Sequence, residues 1–187
     1  MANPTQYFGL QSVTPNNAVT STTRGIVAAT DSSVVAPGDA VMLSGATGLD
    51  SLGNVCPVVT RYVAGAGNAI FGVISSVFNI TNFAQPYSTA STKAEVEIEN
   101  SSIQTVFKVR ASSTLTTTTC IGQFADLVVT APSTALGVSQ MALDTTTVTG
   151  TQGTLPMEII GFLNDGVNVY TTANPVVLVR LVKSSQQ

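Results

Sequence analysis

Short apolar runs alternate along the chain with polar, turn-rich segments, and no apolar stripe recurs at helical spacing for three turns. Runs rich in Val, Ile and Phe predict strands over residues 25–30, 34–43, 55–60, 69–78, 93–99, 105–110, 140–144, 156–163 and 176–182. Residues 121–129 fit either a strand or a single helical turn. Pro37-Gly38-Asp39 breaks the second run with a turn, and 45–54 reads as a Gly/Ser/Asp-rich loop. Pro57 marks its run as an edge strand or a strand start, because proline has no amide to give a ladder. The strictest alternation is Lys93-Ala-Glu-Val-Glu-Ile-Glu99, with Glu95, Glu97 and Glu99 on one face and Val96 and Ile98 on the other. Asn100-Ser-Ser then turns into Thr105–Arg110, predicting a hairpin that sets the three acids opposite Lys108 and Arg110. Asn164-Asp165-Gly166 is a second hairpin signal, and 176–182 reads as a central buried strand.

About ten short strands spaced by roughly 8–15 residues predict an all-β fold, a compact antiparallel β-barrel or sandwich. Residues 1–24 carry Pro4 and Pro15 and lack periodicity, so they are expected as an extended N-terminal arm ahead of a β-rich domain over 25–187. Tyr7, Phe8 and Leu10 give the arm an apolar cluster that a free tail would not need. The long polar segment 79–92 holds Phe83 and Tyr87 and is where two small β subdomains would meet. These five side chains, Tyr7, Phe8, Leu10, Phe83 and Tyr87, are the expected partner contacts.

Composition sharpens the picture by exclusion. Thr, Ser and Val make up 70 of 187 residues, and charged residues only 9%, against roughly 25% in ordinary soluble domains. With no histidine, Ser-His-Asp chemistry and most zinc sites are excluded. A net charge of -3 with 7 Lys and Arg leaves no broad basic footprint for nucleic acid. No run of about 18 apolar residues exists for a membrane helix, and the first residues lack the basic and apolar regions of a secretory leader. Cys56 and Cys120 read as buried reduced thiols, since neither has a base or a metal-binding neighbour in sequence. Alternate carboxylates on one strand lie along a line rather than converging, so the Glu95–Glu99 row is expected as a solvated face and not a metal or acid–base site. Gly65-Ala-Gly-Asn68 begins like a dinucleotide loop, but Ile70 stands where the third glycine is required. No catalytic residue, metal or cofactor is therefore expected, and no enzyme activity. So little charge suits a surface that neighbouring subunits cover.

The order of several segments resembles that of the tailed-bacteriophage head-decoration, or capsid cement, proteins. The matching pieces are Met1-Ala-Asn-Pro with Phe8-Gly9, the Gly38-Asp39-Ala-Val turn, Ile70-Phe-Gly-Val-Ile74 and Ala94–Asn100 leading into Val106–Val109. Ile121–Leu127, Met157–Phe162 and Val177–Arg180 follow in the same order. The chain departs from the group where Asn100-Ser-Ser replaces a frequent Asp-Pro turn, and in being richer in Thr and poorer in charge. The resemblance implies a virion protein on the outer capsid surface, made in the host cytoplasm, with the major capsid protein as partner. It also implies a homo-oligomer, a trimer or a dimer, that reinforces the shell. The arm would then lie across a capsid subunit or add a strand to its sheet, and its removal would weaken attachment more than folding. A tail or fibre component shares this composition. A carbohydrate-binding β-sandwich would instead gather its aromatics on one exposed face.

Overall fold

Twelve short strands and one 3-10 turn make up the regular structure among the described residues. This structure is a computed structural model that describes residues 3, 6–13, 21–65, 67–78, 85–100, 105–115, 118–153, 155–169 and 171–182. The strands are β1 (Gln11–Ser12), β2 (Thr22–Val27), β3 (Ala40–Leu49), β4 (Val55–Arg61), β5 (Gly72–Phe78) and β6 (Ala94–Asn100). After them come β7 (Val106–Arg110), β8 (Phe124–Ala125), β9 (Leu127–Val128), β10 (Ala142–Leu143), β11 (Met157–Phe162) and β12 (Val176–Leu181).

The fold is all-β and divides into a barrel and a sheet. Strands β2, β4, β3, β5 and β6 close on themselves, and β1, β7, β12, β11 and β8 form a second, open sheet. Strands β9 and β10 add a two-stranded ribbon. Closure removes every free edge from the first unit. Its lumen is filled by Val27, Val41, Val59, Ile74, Val96 and Ile98. A larger apolar cluster joins the second sheet to the barrel, combining Phe107, Val109, Met157, Ile159, Val177 and Val179 with Ala40, Tyr62, Ile70 and Val73. Beside it the Tyr62 hydroxyl donates to Asp126 Oδ1 at 2.7 Å, and the Gly65 amide to Asp126 Oδ2 at 3.0 Å. That carboxylate ties the exit of β4 to the second sheet.

Several expectations need correction. The barrel is not wholly antiparallel: β2 runs parallel to β4, pairing Ile26 with Val58 and Val27 with Val59. Residues 45–49 are strand rather than loop, because a bulge between Leu43 and Thr47 carries β3 onward to Leu49. Gly45, at φ +80°, supplies the left-handed residue this irregularity needs. Pro57 lies inside a barrel strand, not at an edge; it pairs with Thr47 on β3, and the ladder to β2 begins one residue later at Val58. Its missing amide therefore leaves no gap.

The Glu95–Arg110 hairpin does not form. Strand β6 pairs with β2 and β5, whereas β7 pairs with β1 and β12. The passage from barrel to second sheet thus falls between Asn100 and Val106, C-terminal to 79–92. The alternation itself holds: Val96 and Ile98 are buried and Glu97 and Glu99 are half-buried. Strands β11 and β12 pair as expected, but across the long connection 163–175 rather than a two-residue turn. Asp165 shapes only a local turn there, accepting the amides of Val167 and Asn168. Cys56 and Cys120 are both buried and unbridged.

Candidate interaction surface

Tyr7, Phe8 and Leu10 face their own chain. Within the segment expected as an arm, Gln11 and Ser12 pair with Lys108 and Phe107 as strand β1. Leu10 is buried in the cluster between barrel and sheet. The Phe8 ring is half-buried beneath two cations, with Lys108 Nζ 5.8 Å and the Arg110 guanidinium 5.5 Å from its centre. The half-buried Tyr7 hydroxyl lies 3.5 Å from the Ser112 carbonyl. Arg110 is buried rather than opposed to the glutamates, and it donates to the carbonyls of Gln6 (3.0 Å) and Asn174 (2.8 Å). Tyr87 is half-buried, its hydroxyl accepting from Gln85 at 3.4 Å. Phe83 lies outside the described residues. Among the described residues, Tyr7, Phe8, Leu10 and Tyr87 do not gather into one exposed patch.

Four exposed apolar side chains sit at one end of the barrel. Leu49 and Val55 face each other across the β3–β4 hairpin and are 55% and 71% exposed. Leu52, at the tip between them, is 77% exposed. Phe78, the last residue of β5, is 42% exposed and carries the Arg24 guanidinium 5.6 Å from its ring centre.

This tip is rigidly built. Asp50 Oδ1 accepts the amides of Leu52 (2.9 Å) and Asn54 (2.8 Å), closing the turn. Its Oδ2 accepts the Asn54 side-chain amide (3.0 Å) and Arg24 Nη1 (3.4 Å). From strand β6, which pairs with neither strand of the hairpin, buried Glu95 reaches under it. It accepts the Ser51 amide and hydroxyl and lies 3.6 Å from Arg24 Nη1. Donors crowded around the Asp50 carboxylate, the Asn54 side chain foremost, hold its pKa near 2. The two carboxylates are thus consumed inward. The cations Arg24 and Lys93 remain at the rim, Lys93 donating to the Leu49 carbonyl at 2.6 Å.

Sequence reasoning missed this tip. Leu49-Asp50-Ser-Leu52-Gly-Asn-Val55 does contain a readable signal: an Asx-type turn whose central residue is a leucine with nowhere to be buried. The Glu row gave the outward face of β6, but not that a hairpin folds down over Glu95. Chemically the arrangement suits contact. Its carboxylates are committed to fixed donors, and among the described residues no three His, Cys, Asp or Glu side chains converge as metal ligands. No protein family, curated protein or solved structure matches this chain.

Proposed function

We propose that this chain is a structural virion protein that binds the exterior of an assembled phage capsid lattice and stabilises it by contact alone, without enzyme activity. The observation that carries this reading is the barrel tip. Three aliphatic side chains are held out to solvent by a turn whose four backbone amides, Ser51 to Asn54, all find acceptors. A rigid apolar loop binds with little ordering cost, and burying apolar area is what a shell-reinforcing contact requires. The charge-poor, Thr-rich body supports the same reading, since neutral faces lose water more cheaply than charged ones. Many copies on one lattice then add through multivalency. The partner is the major capsid protein, and the chain acts as a homo-oligomer.

Image reconstruction of virions tests this directly. Density for this chain on the capsid exterior is expected, and its absence there overturns the reading. Co-sedimentation with empty shells adds the residue-level test: Leu52→Asp is expected to lower bound protein several-fold while leaving the fold intact.

A further inference from the structure

Three segments converge on the turn that begins β3. Phe8-Gly9-Leu10 crosses Gly38 so closely that a Cβ on Gly9 would lie 2.4 Å from the Gly38 carbonyl oxygen and 2.4 Å from Ser139 Cβ. The Leu10 amide donates to the Gly38 carbonyl (2.9 Å), the Ser139 amide to the Pro37 carbonyl (3.0 Å) and the Gly38 amide to the Ile74 carbonyl (2.8 Å). One turn therefore fastens the N-terminal strap, the loop before β10 and strand β5.

Asp39, the next residue, is fully buried at this crossing. Its Oδ2 accepts the Ala36 amide at 3.0 Å. Its Oδ1 is shut off from solvent and makes no full hydrogen bond, the Ser139 hydroxyl beside the carboxylate being taken up in accepting the Met141 amide. Arg61 is the charged side chain that acts on it, and that guanidinium is turned to the Val34 carbonyl at 3.4 Å. The packed segments 8–10, 72–75 and 139–141 contain no charged residue. An ionised carboxylate with an orphan oxygen is costly in such surroundings, whereas a neutral acid is tolerated. Burial accordingly pushes the Asp39 pKa up to about 6, and the Ser139 hydroxyl, the Ala36 amide and Arg61 offset only part of the rise.

We propose that Asp39 is a proton-operated latch on this crossing. Neutral in acid, it lets the strap close over Gly38. Ionised towards neutral pH, it favours the open crossing, in which water reaches the carboxylate and residues 8–10 and 137–141 loosen together. The proton is exchanged with solvent, and no other group need change charge. The latch is separate from the barrel tip and holds or fails independently of the capsid reading.

Hydrogen exchange at the Leu10, Gly38 and Ser139 amides tests it, after correction for the intrinsic pH dependence of exchange. A shift from an ordinary 3.8 to about 6 implies that opening at these amides rises about tenfold between about pH 5 and 7.5. Asp39→Asn keeps an acceptor for Ala36 but cannot ionise, so its protection is expected to be flat over that range. Protection in the native chain that does not change with pH overturns the latch, and so does an equal change in the Asn variant. Should that variant fail to fold, the native chain still decides by carbon NMR of the Asp39 carboxyl. A midpoint near 6 supports the latch, and one below about 4 refutes it. Arg61→Gln is expected to move that midpoint upward, since the Arg61 charge favours the ionised form.

Discussion

Leu10→Ala separates a docked N-terminal segment from one that reaches out to a partner. Leu10 is 1% exposed and packs in the cluster that holds Phe107, Val109 and Met141. Truncating it removes three carbons from a close-packed site and leaves a cavity whose lining cannot fully collapse. Buried Leu→Ala changes of this kind cost about 3–5 kcal/mol. In a chain of this size each kcal/mol lowers the melting temperature by roughly 2–4 °C, so a fall of roughly 6–20 °C is expected. The chain has no tryptophan, so far-UV circular dichroism during heating and urea titration is the suitable readout. Losing less than about 0.5 kcal/mol, within the range of ordinary surface changes, would refute the placement of Leu10 in the core. Weakened capsid attachment with unchanged stability would refute it too, and would return the segment to the role of an outward arm. The same geometry bears on deleting residues 1–12. That truncation removes Leu10, strand β1 and the Asn3 side chain, whose amide nitrogen donates to the Val169 carbonyl and whose amide oxygen accepts the Val169 amide, each at 2.8 Å. Such a chain is expected to lose stability before any effect on attachment can be read.

Leu52→Asp is expected to change unfolding free energy by less than about 0.5 kcal/mol, as an exposed substitution should, while reducing co-sedimentation with shells; parallel urea melts and pelleting assays check both halves. Gly9→Ala is expected to destabilise by about 2 kcal/mol or more, because it combines a left-handed φ of +69° with overlap on Gly38 and Ser139; a melt matching the native one would refute the close crossing. The Asp50 carboxylate has its pKa lowered from 3.8 to about 2, so its support of the hairpin is full above 3.8 and is lost as pH falls through 2. Exchange at the Leu52 and Asn54 amides should therefore accelerate, relative to the intrinsic rate, on acidification into that range. Arg180→Met removes a 2.7 Å contact to Glu158 between half-exposed side chains on paired strands, and is expected to cost at most about 1 kcal/mol in a urea melt.

Strand identity was legible because it is written in local pattern. Val96 and Ile98 alternate with glutamates, and that period alone sends the valine and isoleucine into the lumen and leaves Glu97 and Glu99 on the outer face. The nearly all-apolar run 176–182 likewise became β12, central in its sheet between β7 and β11. Pairing was not legible in the same way. Residues 93–110 look like one hairpin, yet β6 and β7 belong to different sheets. Proximity along the chain favours a hairpin, but the apolar faces of both strands are better buried when β6 closes a barrel and β7 supports the seam.

The candidate surface followed the same division. The turn residues of 50–54 could be read, and so could an unburied leucine at its centre. That Glu95, far off in sequence, anchors the turn from below could not, because the alternation that exposes a glutamate says nothing about what folds over it. The apolar cluster at Tyr7, Phe8 and Leu10 was visible as sticky, but whether it sticks to a partner or to its own sheet depends on a groove made by β7 and the Gly38 turn. By itself, then, the sequence determined an all-β, charge-poor chain, since side-chain period and composition are local properties. Only the tertiary structure decided which apolar side chains stay exposed, how the barrel closes, and which carboxyl, Asp39, is left buried with an unpartnered oxygen, because each of these depends on strands distant in the chain meeting in space.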